Sequence, residues 1–270
     1  MYREAFVRAW VIARKHRDLL WELQRRDLSD RYVGSTLGAL WAVVQPLVQL
    51  AVYVIVFGFV FKLKFGGQDS GGFDYPAYII AGYLPWMAIM DVMTRSAIVI
   101  YANMNVIKQV AFPTELLPAK VLLGAFVPQA VGIAFLIAYL ELRFGRVPVT
   151  LVLLPVALVL EYVAAMGLAW ILALVGAYFR DLPNVLQVFF LVNLYAMPIV
   201  YAPAWTPPVL ARVIPFNPFA HLVYVFQDVL FFGAIRHPVS WGVLSLLAAI
   251  TFAVGFNLFN RAKQAFGNVL

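Results

Sequence analysis

Three arginines near the N-terminus, Arg25, Arg26 and Arg31, are the side chains of this sequence best suited to hold an anion. Their guanidinium forks match phosphate oxygens, so they can anchor a surface helix to anionic lipid or recognise a diphosphate. The histidines offer less. His16, His221 and His237 are scattered, and no paired carboxylates or His/Asp cluster stands at a spacing that acid/base or metal chemistry would use. The absence of cysteine excludes disulfides, thiolate metal sites and a thiol nucleophile. No G-x-x-x-x-G-K-[ST] occurs, so the chain has no phosphate-binding loop for a nucleotide. Asp91, Arg95 and Glu161 fall within long apolar runs, where ionisable groups are costly unless they face protein or water. Asp91 and Arg95, four residues apart, are expected to pair on one helical face. Glu161 has no local partner, which leaves protonation, an arginine from elsewhere or a cavity as its options.

The elements that must position these groups follow from composition. With 64% hydrophobic and 12% charged residues, the chain is far more apolar than a soluble domain, and an all-α integral membrane protein is expected. Residues 1–36 read as an amphipathic interfacial segment, with Leu19, Leu20, Leu23 and Leu28 near helical spacing opposite charged residues. No apolar stretch precedes a cleavage-type site, so the protein is expected to keep Met1. Residues 37–270 are expected to form six transmembrane helices, at about 37–61, 75–102, 121–140, 149–178, 185–201 and 241–259, the fifth close to the minimum length. Between the last two, Pro203, Pro207, Pro208, Pro215 and Pro218 punctuate the chain. Leu222 to Phe232, largely apolar, is only eleven residues long, which suits short re-entrant or external helices.

Lysine and arginine set the orientation. Segments 1–36, 103–120, 179–184 and 260–270 hold thirteen, and the opposite segments 62–74, 141–148 and 202–238 hold six. Positive excess marks the cytoplasm, so both termini and residues 103–120 are expected inside. The same topology accounts for the net charge of +7 without nucleic acid. No internal repeat of the kind most secondary transporters carry is visible.

Residues 103–120 form a polar, proline-bearing island between two apolar runs. Most such loops are ordinary turns, but this one is longer than a minimal turn, and Pro113 and Pro118 would bracket a short element of its own. Aromatic residues at span ends, such as Tyr2, Trp10, Trp205 and Trp241, fit an interfacial belt. Tyr53, Phe57, Trp86, Phe190 and Tyr195 lie deeper, where helix packing is the default role.

A set of ordered motifs adds to this reading. Arg26-Asp27-Leu28 is followed by Arg31-Tyr32-x-Gly34-Ser35-x-Leu37-Gly38-x-Leu40-Trp41 and Pro46. Gly82-x-Leu84-Pro85-Trp86 comes next, then Asn105-x-Ile107-Lys108 with Phe112-Pro113-x-Glu115. Phe179-Arg180-Asp181, Pro198-Ile199-x-Tyr201 and Asn217-Pro218 complete the series. Over nearly its whole length the chain resembles the permease subunit of bacterial ABC exporters for O-antigen, capsule and teichoic-acid polymers.

The resemblance implies a homodimer of six-helix subunits in the bacterial inner membrane, with two copies of a separate ATPase and a polyprenyl-diphosphate-linked glycan as substrate. This chain would itself hold no cofactor; ATP and magnesium would sit on the partner. The island would carry the element that docks on the ATPase, through Met104, Asn105, Ile107, Lys108, Gln109, Val110 and Phe112. Arg25, Arg26 and Arg31 would meet the lipid diphosphate or membrane lipid headgroups. Tyr53, Phe57, Trp86, Phe190 and Tyr195 would line the glycan channel, and Asn217, Pro218, Leu222 and Phe226 would form a passive plug or an outer gate. The readings to set against O-antigen export are a capsule or teichoic-acid permease, a small-lipid or drug exporter, and a polyprenyl-phosphate-using membrane enzyme.

Overall fold

The computed structural model describes residues 7, 11, 14–30, 34–60, 73–104, 107, 113–201 and 206–263. Among them every regular element is helical. In chain order these are α1 (Arg17–Asp30), α2 (Trp41–Val60), α3 (Tyr75–Ala102), α4 (Leu116–Phe144) and α5 (Val149–Tyr178), then α6 (Leu182–Tyr195), α7 (Pro208–Phe216), α8 (Pro218–Phe232) and α9 (Pro238–Ala262). Five of them, α2, α3, α4, α5 and α9, are long and apolar enough to cross a bilayer; α7 and α8 together make a sixth candidate, bent by 98°.

Helix α3 is the axis of the bundle: twenty of its 28 residues are buried. It starts cleanly because Asp74 caps it, Oδ1 accepting from the Ala77 N–H at 3.3 Å, and Pro76 has no N–H to leave unpaired in the first turn. Arg143, in the last turn of α4, reaches back to the same carboxylate at 2.9 Å. Helices α4, α5 and α8 pack around α3, and α9 lies along α5. That last contact is close because Gly167 and Gly255 face each other. A Cβ on Gly167 would stand 2.2 Å from the Thr251 carbonyl carbon, and one on Gly255 would stand 2.3 Å from the Gly167 carbonyl oxygen. Gly176 plays the same part between α5 and α3, where a Cβ would fall 1.7 Å from the Ala97 oxygen.

Helix bounds differ from expectation where proline and burial intervene. The second and fourth spans coincide with α3 and α5, whereas the third begins at Leu116 and takes Glu141 and Arg143 into its last turns. The expected fifth span, 185–201, is not one helix. Helix α6 stops at Tyr195 after 14 residues, about 21 Å of helical rise, short of a hydrocarbon core of roughly 30 Å.

Pro198 lacks an N–H, and the chain from Ala196 to Tyr201 runs as turns enclosed by protein. Side chains satisfy its carbonyls. The Tyr78 hydroxyl donates to the Pro198 and Tyr201 oxygens at 3.0 Å each, Gln227 Nε2 to the Pro198 oxygen at 2.6 Å, and the Tyr75 hydroxyl to the Val200 oxygen. Irregular backbone survives at membrane depth only under such cover.

Two hydrophobic cores result. The larger surrounds α3 and takes in α8 as well as parts of α4, α5 and α6. The smaller lies at the end of the bundle where α3 passes toward α4, and joins Val99 and Ile100 to Leu117, Val121, Trp170, Phe252, Phe256 and Phe259.

Candidate functional site

The island end is built on that second core. Helix α3 is closed by Asn103, whose N–H donates to the Ile100 oxygen at 3.2 Å and whose side-chain amide donates to the Val99 oxygen at 2.7 Å. Lys120 Nζ then donates to Asn103 Oδ1 at 3.1 Å, fastening the first turns of α4 to the end of α3. Beyond it, the Ile107 N–H donates to the Asn103 oxygen at 3.2 Å, and the Ile107 side chain packs on the smaller core. Ile107 was expected to offer its apolar surface to another protein, yet this chain already uses part of it. Met104 is half-buried; Asn105, Lys108, Gln109, Val110 and Phe112 lie outside the described residues. After Pro113 the chain turns directly into α4, with the Leu116 N–H on the Pro113 oxygen at 3.0 Å.

Near the same end, Arg95 reaches a partner that local spacing could not supply. Its Nη1 is 3.4 Å from Asp91 Oδ2, the expected contact, while its Nη2 forms an ion pair with Asp27 of α1, 68 residues away. The arginine therefore fastens α1 to α3 instead of serving a pair within α3 alone. Arg25 and Arg26 stay exposed on α1, Arg26 bonding Glu22 at 2.6 Å, so both guanidinium groups face outward where anionic groups can reach them. Arg31 lies outside the described residues.

The aromatic residues divide into two groups. Tyr53 and Phe57 are half-buried on α2, their rings 5.1 Å from Tyr83 and 5.8 Å from Tyr75 respectively, and Tyr195 is 51% exposed at the end of α6. Phe190 is half-buried. Trp86, expected to line a channel, is instead core: it is 1% exposed and walled in by Phe189, Phe190 and Phe219 at 6.3, 5.7 and 5.4 Å. The reason is its place on α3, most of whose residues are buried. Between α2, α3 and α4 lies a cavity of about 140 Å³ lined by Gln45, Pro46, Gln49, Asp91 and Pro128. Gln49 there donates to the Tyr83 hydroxyl at 2.6 Å.

Among the described residues Glu161 meets no arginine, and it is shut off from the surface. It is 2% exposed and accepts from Gln129 Nε2 at 2.6 Å, while the Tyr162 hydroxyl donates to Gln129 Oε1 at 2.7 Å. Its other oxygen has no partner among the described residues.

At the opposite end, the bent pair α7–α8 is fixed by polar groups. Asn217 makes the corner: its Oδ1 accepts from the Phe219 N–H at 3.0 Å, and its Nδ2 donates to Asn193 Oδ1 at 2.8 Å and the Ala196 oxygen at 3.2 Å. Pro218 opens α8, and Leu222 and Phe226, expected as gate residues, are buried at 4% and 0%. Leu222 and Phe226 are thus part of the main core, because α8 packs along α3, whereas Asn217 and Pro218 stand at the corner outside it.

Asp228, which the sequence reading passed over, secures the far end of α8. Its carboxylate meets His237 Nδ1 at 2.8 Å and accepts from the His237 N–H at 3.1 Å and Trp241 Nε1 at 3.2 Å. The signal was an acid inside an otherwise apolar run. His221 is likewise structural, its ring nitrogens meeting Ser240 Oγ and the Pro215 oxygen at 3.0 Å each. Among the described residues no three His, Asp or Glu side chains come close enough to hold a metal ion.

Comparison with known proteins gives this geometry a family. The chain is 26% identical over 255 residues to the O-antigen export system permease protein RfbA of Klebsiella pneumoniae, covering 94% of this chain and 95% of that one. The protein of the same name from Myxococcus xanthus is 24% identical over 255 residues, covering 93% and 95%. The polysialic acid transport protein KpsM of Escherichia coli is 23% identical over 249 residues, covering 89% and 92%. The profile of the ABC-2 type transporter family matches residues 18–231, from α1 through the bent pair α7–α8, and the chain is a member of that family.

Proposed function

We propose that this chain is the membrane subunit of an ATP-driven ABC exporter that carries polyprenyl-diphosphate-linked O-antigen polysaccharide across the bacterial inner membrane. The observation that carries the proposal is the likeness to an O-antigen export permease over 94% of the chain, which takes in both the island and the bent pair. In the complex, two copies of this chain stand with two copies of a cytoplasmic ATPase that holds ATP and magnesium, since this sequence has no phosphate-binding loop. Both termini and the island face the cytoplasm, following the excess of Lys and Arg on that side.

The chain's own residues divide the task. The island receives the ATPase, and its displacement shifts the bundle because the two states contact the ATPase differently. Exposed Arg25 and Arg26 meet diphosphate oxygens or lipid headgroups at the membrane surface. Tyr53, Phe57 and Tyr195, which keep accessible ring surface, offer stacking faces to sugars. Deleting the gene should remove the polymer from the cell surface while polyprenyl-linked polymer accumulates on the cytoplasmic side, and the intact gene should reverse both. Unchanged surface polymer would overturn the proposal.

A capsule-type substrate is the second reading, favoured by the likeness to the polysialic acid transport protein. Chemical analysis of which polymer disappears separates the two.

A further inference from the structure

Glu115 closes the Phe112-Pro113-x-Glu115 motif. It sits where the island turns into α4, and its side chain is almost fully enclosed, 7% exposed. There it forms an ion pair with Lys263 Nζ, 148 residues away, just beyond the end of α9. Its backbone oxygen accepts from Trp170 Nε1 of α5 at 3.3 Å. The Trp170 ring in turn meets Phe252 and Phe256 of α9 edge-on, both at 5.1 Å. Leu117, two residues on from Glu115, is 0% exposed in the same small core as Phe256 and Phe259. One residue is therefore joined to α9 twice, directly by its carboxylate and through Trp170 by its backbone.

The geometry points to Glu115 as a positioning residue that fixes the island to the end of α9, so that α4 and α9 move as one body when the island is displaced. A carboxylate this enclosed would be costly without its cation. The packing of Leu117, Phe256 and Phe259 already holds the helices together, so the ion pair is free to set direction instead of bare stability. This inference rests on the proposed docking of an ATPase at the island.

The test uses the whole complex of permease and co-expressed ATPase in lipid vesicles, reading polymer exported per ATP hydrolysed. Glu115→Gln and Lys263→Gln should each still co-purify the ATPase but lose about five-fold or more in export per ATP, the size of a typical coupling energy. The exchange E115K/K263E should restore the ratio. Because the chain contains no cysteine, E115C/K263C gives a second route: a short thiol crosslinker should restore the export per ATP that the unlinked pair loses. An unchanged ratio in Glu115→Gln, or a loss that neither the exchange nor the crosslink repairs, would overturn the inference. If the wild-type chain neither binds the ATPase nor exports, the proposed function itself falls; if it does both, the Glu115 variants decide this inference alone.

Discussion

The two ends of the bundle are held by different physics. At the bent-pair end, irregular backbone and a sharp corner are enclosed by protein, and neutral donors answer its carbonyls: Tyr75, Tyr78, Gln227 and Asn217. Its buried acid, Asp228, takes its hydrogen bonds from two neighbouring residues, His237 and Trp241, and its ion pair between distant segments, Asp74 with Arg143, is 19% and 47% exposed. At the island end, a small hydrophobic cluster is supplemented by ion pairs that join segments distant in sequence, Asp27 to Arg95 and Glu115 to Lys263.

Enclosed hydrogen bonds between neutral groups are lost all at once and favour a single arrangement. The ion pairs of the island end are themselves largely enclosed, Asp27 and Arg95 at 15% and 19% exposed and Glu115 and Lys263 at 7% and 33%, and they hold helices distant in sequence in one arrangement. One end thus encloses irregular backbone within the bundle, and the other ties the termini of separate helices to one another.

That contrast can be broken by substitution. The largest effect is expected for Asp228→Ala, which strands the donors of His237 and Trp241 and should cost about 3–5 kcal/mol. Thermal unfolding in detergent should show it as a large drop in midpoint. Gly176→Ala comes next, at about 1–3 kcal/mol, because the added Cβ meets backbone on α3 and the helices must separate. The same melt should detect it, and a wild-type midpoint would mean that the island end tolerates more slack than its packing implies.

Tyr78→Phe removes a hydroxyl that serves two carbonyls, for about 1–2 kcal/mol, since Gln227 still reaches the Pro198 oxygen. Asp27→Asn should cost about 1 kcal/mol in global stability but release α1, read as faster proteolysis between residues 17 and 40. If α1 stays protected, the Arg95 ion pair is not what holds it. At the bottom, Glu22→Ala should change stability by less than about 0.5 kcal/mol, because Glu22 and Arg26 are 59% and 72% exposed.

Much of this architecture was legible in the chain itself. Predominantly apolar runs long enough to span a bilayer marked α3 and α5 at the bounds they have, since a membrane helix needs only length and apolarity to be recognised. Proline density announced the bent pair, and the polar island stood out against its neighbours. Helix α6 was overestimated because hydropathy cannot tell an apolar helix from an apolar turn whose carbonyls are answered by side chains elsewhere. The burial of Trp86 and Phe226 could not be read for a related reason: depth along a span can be counted, but which side of the helix is enclosed depends on its neighbours.

The sequence by itself determined the class, the bounds of α3 and α5, the missing nucleotide loop and the position of the island, because each rests on local composition or spacing. Only the tertiary structure decided the partners. Arg95 with Asp27, Glu161 with Gln129, Asp228 with His237 and Trp241, and Glu115 with Lys263 all depend on which helix faces which, and contacts between helices leave no periodic trace in a single chain.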